Sequence, residues 1–94
     1  MAAQAINHVA GGIGEQTTST IVVGASEKVA VRLSRFDENC EAWLKVVGNS
    51  VTSYEALYQN NTIFDAIPEN HVVSVVTKKL EEGGGVEGVV ESYT

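Results

Sequence analysis

Lys28-Val29-Ala30-Val31-Arg32-Leu33-Ser34 and Cys40-Glu41-Ala42-Trp43-Leu44-Lys45-Val46-Val47 are the two stretches whose reading decides the fold. In the first, Val29, Val31 and Leu33 fall on one side of an extended chain and Lys28, Ala30, Arg32 and Ser34 on the other. In the second, Cys40, Ala42, Leu44 and Val46 oppose Glu41, Trp43, Lys45 and Val47. Successive side chains of a strand point to opposite faces, so a period of two marks a half-buried strand. The polar cluster Asp37-Glu38-Asn39 turns the chain between the two stretches.

The same grammar extends in both directions. Gly48-Asn49 punctuates a tight hairpin into a further strand over Ser50–Tyr58. Asn60-Asn61 turns into an alternating run over Thr62–Ile67, which Pro68-Glu69-Asn70 ends because proline cannot donate to a ladder. His71–Leu80 is the longest valine-rich strand, and Gly83-Gly84-Gly85 connects it to a last strand over Val86–Tyr93. Upstream, Ser19–Val23 is a short β-branched run closed by Gly24. About seven strands at this spacing predict an all-β chain, a small antiparallel β-sandwich or partly closed barrel. Residues 1–18 differ, being rich in Ala, Gln, Asn, Gly and Thr, with Gly11, Gly12 and Gly14 breaking any periodicity. They read as a flexible N-terminal arm ahead of a sandwich domain over residues 19–94.

Composition bounds the function. With 94 residues there is room for one core. The 44% hydrophobic and 19% charged content places the chain outside the disordered regime. Twelve acidic against 6 basic residues argue against nucleic acid, which needs clustered cations. No apolar run approaches the roughly 18–20 residues of a membrane helix. The first residues carry neither the basic region nor the apolar core of a signal peptide, so the expectation is a chain folded without export. One cysteine excludes a disulfide framework, leaving Cys40 as a small buried hydrophobe.

No catalytic pattern emerges. Gly24-Ala25-Ser26 and Gly48-Asn49-Ser50 begin like a nucleophile elbow but lack its closing glycine, and both fall in turns. His8 and His71, the two histidines, have no metal-ligand spacing, and Asp37-Glu38-Asn39 with Glu41 lacks the glycine and terminal glutamate of a calcium loop. Gly11-Gly12-Ile13-Gly14 has no following Lys-Ser or Lys-Thr to cradle phosphate, so no cofactor is expected. The reading is non-enzymatic. Surface chemistry says more: Trp43, on the row of Glu41 and Lys45, belongs either between two sheets or on a surface where it stacks on a sugar or anchors an interface. Tyr54, Tyr58 and Tyr93 are candidates for the same surface.

From Glu27 to Val90 the order of elements runs through Val29–Leu33, the tryptophan strand Ala42–Val46, the turn Ala66-Ile67-Pro68-Glu69-Asn70 and the valine strand Val72–Val76. A glycine-rich hairpin into Val89-Val90 closes it. This order resembles the small β-sandwich decoration (cement) or head-completion proteins of tailed bacteriophages. The resemblance implies a virion structural protein, made in the host cytoplasm, whose partners are the major capsid protein or other virion proteins. It further implies a homo-oligomer, with a trimer the natural form, and capsid contacts through the N-terminal arm. Ala5, Ile6, His8, Val9 and Ile13 would supply those contacts, with Trp43 and Tyr54 on the sandwich. The acidity of the last strand departs from the pattern. The rival expectation is a small carbohydrate- or ligand-binding sandwich using Trp43 and Tyr54.

Overall fold

The computed structural model describes residues 2–10 and 12–94, so Met1 and Gly11, which belong to the expected arm, lie outside the described residues. Among the described residues there are nine strands: β1 (Ala2–His8), β2 (Gly14–Thr17), β3 (Ile21–Val22), β4 (Lys28–Phe36), β5 (Cys40–Gly48), β6 (Val51–Ala56), β7 (Asn61–Phe64), β8 (Val72–Lys79) and β9 (Val86–Tyr93). They form two antiparallel sheets, one ordered β1-β9-β4-β7 and the other β2-β8-β5-β6, with β3 also pairing β8. The chain is all-β and sandwich-like, and it is not a closed barrel. With β2 and β3 counted as one interrupted edge strand, this order is that of an eight-stranded jelly roll, in which successive strands cross between sheets except at the β5–β6 hairpin.

The strands read from Lys28 onward fall where the alternation places them. The arm does not. Ala2–His8 pairs along its whole length with β9, from Ala2 opposite Ser92 to His8 opposite Val86. Gly14–Thr17 pairs with β8, from Gly14 opposite Lys79 to Thr17 opposite Val76. The described residues among the first eighteen therefore contribute an edge to each sheet of the same sandwich, and the strand count among the described residues rises from about seven to nine. Ile6 explains why β1 docks: it is 3% exposed and belongs to the core.

That core lies between the sheets. Ile6, Val29, Val31, Leu33, Val86 and Val90 of the first sheet meet Ile21, Cys40, Ala42, Leu44, Val73 and Val75 of the second. Burying such aliphatic side chains stabilises by about 1.5–3 kcal/mol each. On β8 the inward row runs Val73, Val75, Thr77, Lys79, and all four are buried. One end of the core is consequently polar.

Two turns fix the register. Gly48 pairs with Val51, leaving Asn49 and Ser50 as a two-residue loop, both at positive φ (52° and 62°). That is the primed turn whose twist suits a hairpin, as Gly48-Asn49 suggests. The β6–β7 crossover, residues 57–60, is clamped to both sheets: Leu57 N–H donates to Ala42 O at 2.8 Å, and Leu33 N–H donates to Asn60 O. Leu57 is buried beneath it. Among the described residues no helix is long and apolar enough to cross a membrane.

Candidate functional site

Alternation along β5 decides where Trp43 stands. Cys40, Ala42 and Leu44 are core residues, so Glu41, Trp43 and Lys45 face outward from the second sheet. Trp43 is half-buried and cross-strand from Val76 on one side and Ala56 on the other, while Lys45 is opposite Tyr54. Trp43 and Tyr54 are thus diagonal neighbours on one face, a relation of roughly 7–8 Å between backbones. With Glu15, Thr17, Lys45 and Val76 they line an open groove of about 400 Å³. The intersheet position for Trp43 is not the one taken.

Trp43 also borders a second cleft, of about 420 Å³, at the end of the sandwich. Its floor includes Phe36, Cys40, Ala42 and Leu57, and Tyr58 stands on its rim. Tyr58 is 87% exposed on the clamped crossover. Val51, Tyr54 and Ile63 are also more than half exposed on β6 and β7, the strands that flank the crossover. Four large apolar or aromatic side chains are therefore exposed along the β6–β7 edge, Tyr54 on the outer face of the second sheet and Ile63, opposite Ala30, on the outer face of the first. Of these the sequence reading names Tyr54 and Tyr58. Val51 and Ile63 carried a signal only in lying on the two terminal strands, which requires knowing the strand order.

The other expected contact residues scatter. Ile6 is core. His8, 3% exposed, is held by Thr77 Oγ1 at 2.9 Å from Nδ1. Val9 is half-buried, and its carbonyl accepts from Lys79 Nζ at 2.9 Å. Ala5 is exposed on β1, and Ile13 is 65% exposed in the connection to β2. Ile6 and His8 are interior residues, so a free arm presenting all five to a partner is not what these positions form. Alanine and asparagine masked the alternation of β1, where Gln4, Ile6 and His8 are the inward row.

This polar end of the core has a consequence for acid stability. Burial, and after it the neighbouring Lys79 ammonium, hold the His8 imidazole below its ordinary value of 6.5. Above pH 7 the ring is neutral folded or unfolded. As pH falls through 6.5 the unfolded chain takes up a proton that the folded chain resists, so stability declines, by up to about 1.4 kcal/mol per pH unit. Urea midpoints measured from pH 8 to pH 5.5 are expected to fall in this window, and His8→Gln is expected to flatten the fall.

The remaining candidates are structural. Asp37 accepts from Arg35 Nε at 2.7 Å and from Gly85 N–H at 2.8 Å, contacts that hold its carboxyl below the usual carboxylate range. Asn39 Nδ2 donates to Glu81 O and Gly83 O, so the Asp37-Glu38-Asn39 turn fastens the β8–β9 loop. Burial, then Asp37, push the Cys40 thiol up, away from a reactive thiolate. Ser26 and Ser50 occupy turns at positive φ. Among the described residues no group of three His, Cys, Asp or Glu side chains converges as a metal site. No protein-family model matches the chain, and comparison with curated proteins and with solved structures finds no match.

Proposed function

We propose that this chain is a non-enzymatic structural subunit that works by forming interfaces, a decoration or cement protein of a bacteriophage head acting as a homo-oligomer such as a trimer. The observation that carries the reading is the exposure of Val51, Tyr54, Tyr58 and Ile63 along the open β6–β7 edge of the sandwich. Exposed apolar side chains beside unpaired terminal strands suit association, and tyrosine is prominent among residues that dominate binding energy. The order of elements resembles that of phage decoration proteins, and a net charge of −6 keeps unassembled subunits apart in solution. The contact surface in this reading is the β6–β7 side, because β1 and β2 are committed to the sheets.

Co-sedimentation with heads stripped of decoration tests it. The wild-type chain is expected to pellet with heads, and Tyr54→Ala with Tyr58→Ala to weaken that by at least about tenfold, as expected of interface anchors. Both side chains are exposed, so the double variant keeps its fold. A wild-type chain that stays in the supernatant overturns the reading.

One observation favours a second reading, a carbohydrate-binding module. Trp43 and Tyr54 lie side by side on an outer sheet face with Glu15 and Lys45 at hand, which suits stacking and hydrogen bonding to a sugar. A Trp43 fluorescence shift that saturates with an oligosaccharide, and is absent for a chain bearing Tyr54→Ala, supports this alternative.

A further inference from the structure

The clamped crossover leaves another cleft on the same side, between β6 of one sheet and β7 of the other. Its volume is about 520 Å³, within the range of binding pockets. Val46, Phe64 and Ile67 form an apolar floor that packs on the core, and Glu55, Asp65 and His71 stand around it. Glu55 and Asp65 are exposed, and among the described residues no lysine or arginine lines the cleft. Lys45, the nearest cation along β5, is on the opposite face of its strand from Val46.

The strands beside this cleft are open. β6 and β7 each end their sheet, and neither pairs with a further described strand. Terminal strands are commonly blunted by lysine, proline or bulges. Val51-Thr52-Ser53-Tyr54-Glu55-Ala56 and Asn61-Thr62-Ile63-Phe64 contain no lysine and no proline. Ser53 and Glu55, on the inward row of β6, reach the cleft.

We infer that the β6 edge and this cleft together receive an extended segment of another protein in which aliphatic and basic residues alternate. Main-chain hydrogen bonds to β6 hold such a strand, and every second side chain is directed to the cleft side. A lysine there lays its aliphatic stem on the Val46–Phe64–Ile67 floor and its ammonium toward Glu55 and Asp65. A second copy of this chain does not supply the segment. Its own alternating basic stretch, Lys28–Arg32, is in β4, and Lys78 and Lys79 are in β8; both strands are already paired on two sides. This inference rests on the interface reading above and specifies the chemistry of the partner.

The test uses the full chain, ¹⁵N-labelled, titrated with an acetylated and amidated hexapeptide alternating lysine and valine, beside its glutamate–valine counterpart. Saturable amide shifts confined to β6, β7 and residues 65–71 are expected for the lysine peptide alone. The variant carrying Glu55→Lys and Asp65→Lys is expected to weaken binding at least tenfold, and both changes are on exposed side chains that the fold does not need. Equal binding of both peptides, shifts centred elsewhere, or no saturation by several millimolar overturns the inference. So do spectra that change with protein concentration in the same region without peptide, which would make a second copy the occupant. If the charge-reversed variant still pellets with heads as wild type does, the inference fails while the interface reading stands. A wild-type chain that binds peptide but not heads reverses that outcome.

Discussion

Gly88→Ala is expected to cost about 3 kcal/mol or more and to lower the urea midpoint sharply. Gly88 is in the middle of β9, the strand that holds β1 on one side and β4 on the other, opposite Ile6 and Leu33 at once. A Cβ placed there would collide with the Arg32 carbonyl oxygen and lie 2.8 Å from Leu33 Cα. Both are backbone atoms that no rotamer change can withdraw. The β4–β9 register shifts between Leu33 and Arg35, next to this contact, so the close approach and the irregularity belong to one local arrangement. A domain of this size is stable by about 5–14 kcal/mol, so the loss is a large share of the whole. Urea unfolding followed by Trp43 fluorescence measures it; a midpoint within experimental scatter of wild type would show that the two strands separate freely.

The second large effect is expected at Lys79. Its side chain is 1% exposed, continues the inward row of β8 and donates from Nζ to the Val9 carbonyl beyond the end of β1. Lys79→Ala removes the buried stem and the charged donor together, and about 2–4 kcal/mol of stability should go with them. Lys79→Met keeps the stem, removes the burden of a buried ammonium and is expected to fall within about 1.5 kcal/mol of wild type. Thermal denaturation of the two variants separates the roles. If Met is as damaging as Ala, the polar contacts of the ammonium, that to the Val9 carbonyl among them, and not the packing of the stem, hold this end of the sandwich.

Lys79 also illustrates where the sequence is legible and where it is not. Strands β4, β5, β8 and β9 were readable because valine and leucine alternate visibly with charged or polar residues, or run together as in Val72-Val73 and Val75-Val76. β1 was not, because its inward row is Gln4, Ile6 and His8, and two of the three look like surface residues. His8 and Lys79 are buried because they meet Thr77 and the Val9 carbonyl across the sandwich, contacts between positions about seventy residues apart that no local window reveals. The same logic applies at the surface. Alternation puts Trp43 with Glu41 and Lys45, but only the buried opposite row shows that this face points outward. The β6–β7 side was invisible for another reason: that a strand is terminal in its sheet is a property of topology, and β6 is locally indistinguishable from a central strand.

The pairing of Ala2 with Ser92 across the first sheet sets a timetable for folding. β9 is the inner strand between β1 and β4, so that sheet lacks its middle until the final strand has been made. The second sheet needs nothing beyond Lys79 and is free to assemble earlier around β5 and β8. During synthesis β1 precedes β9, the strand it pairs with, by the seven strands between them, so Ile6 and His8 wait for their place in the core until β9 follows. Closure over so long a loop points to folding in milliseconds to seconds, well behind a helical chain of the same length.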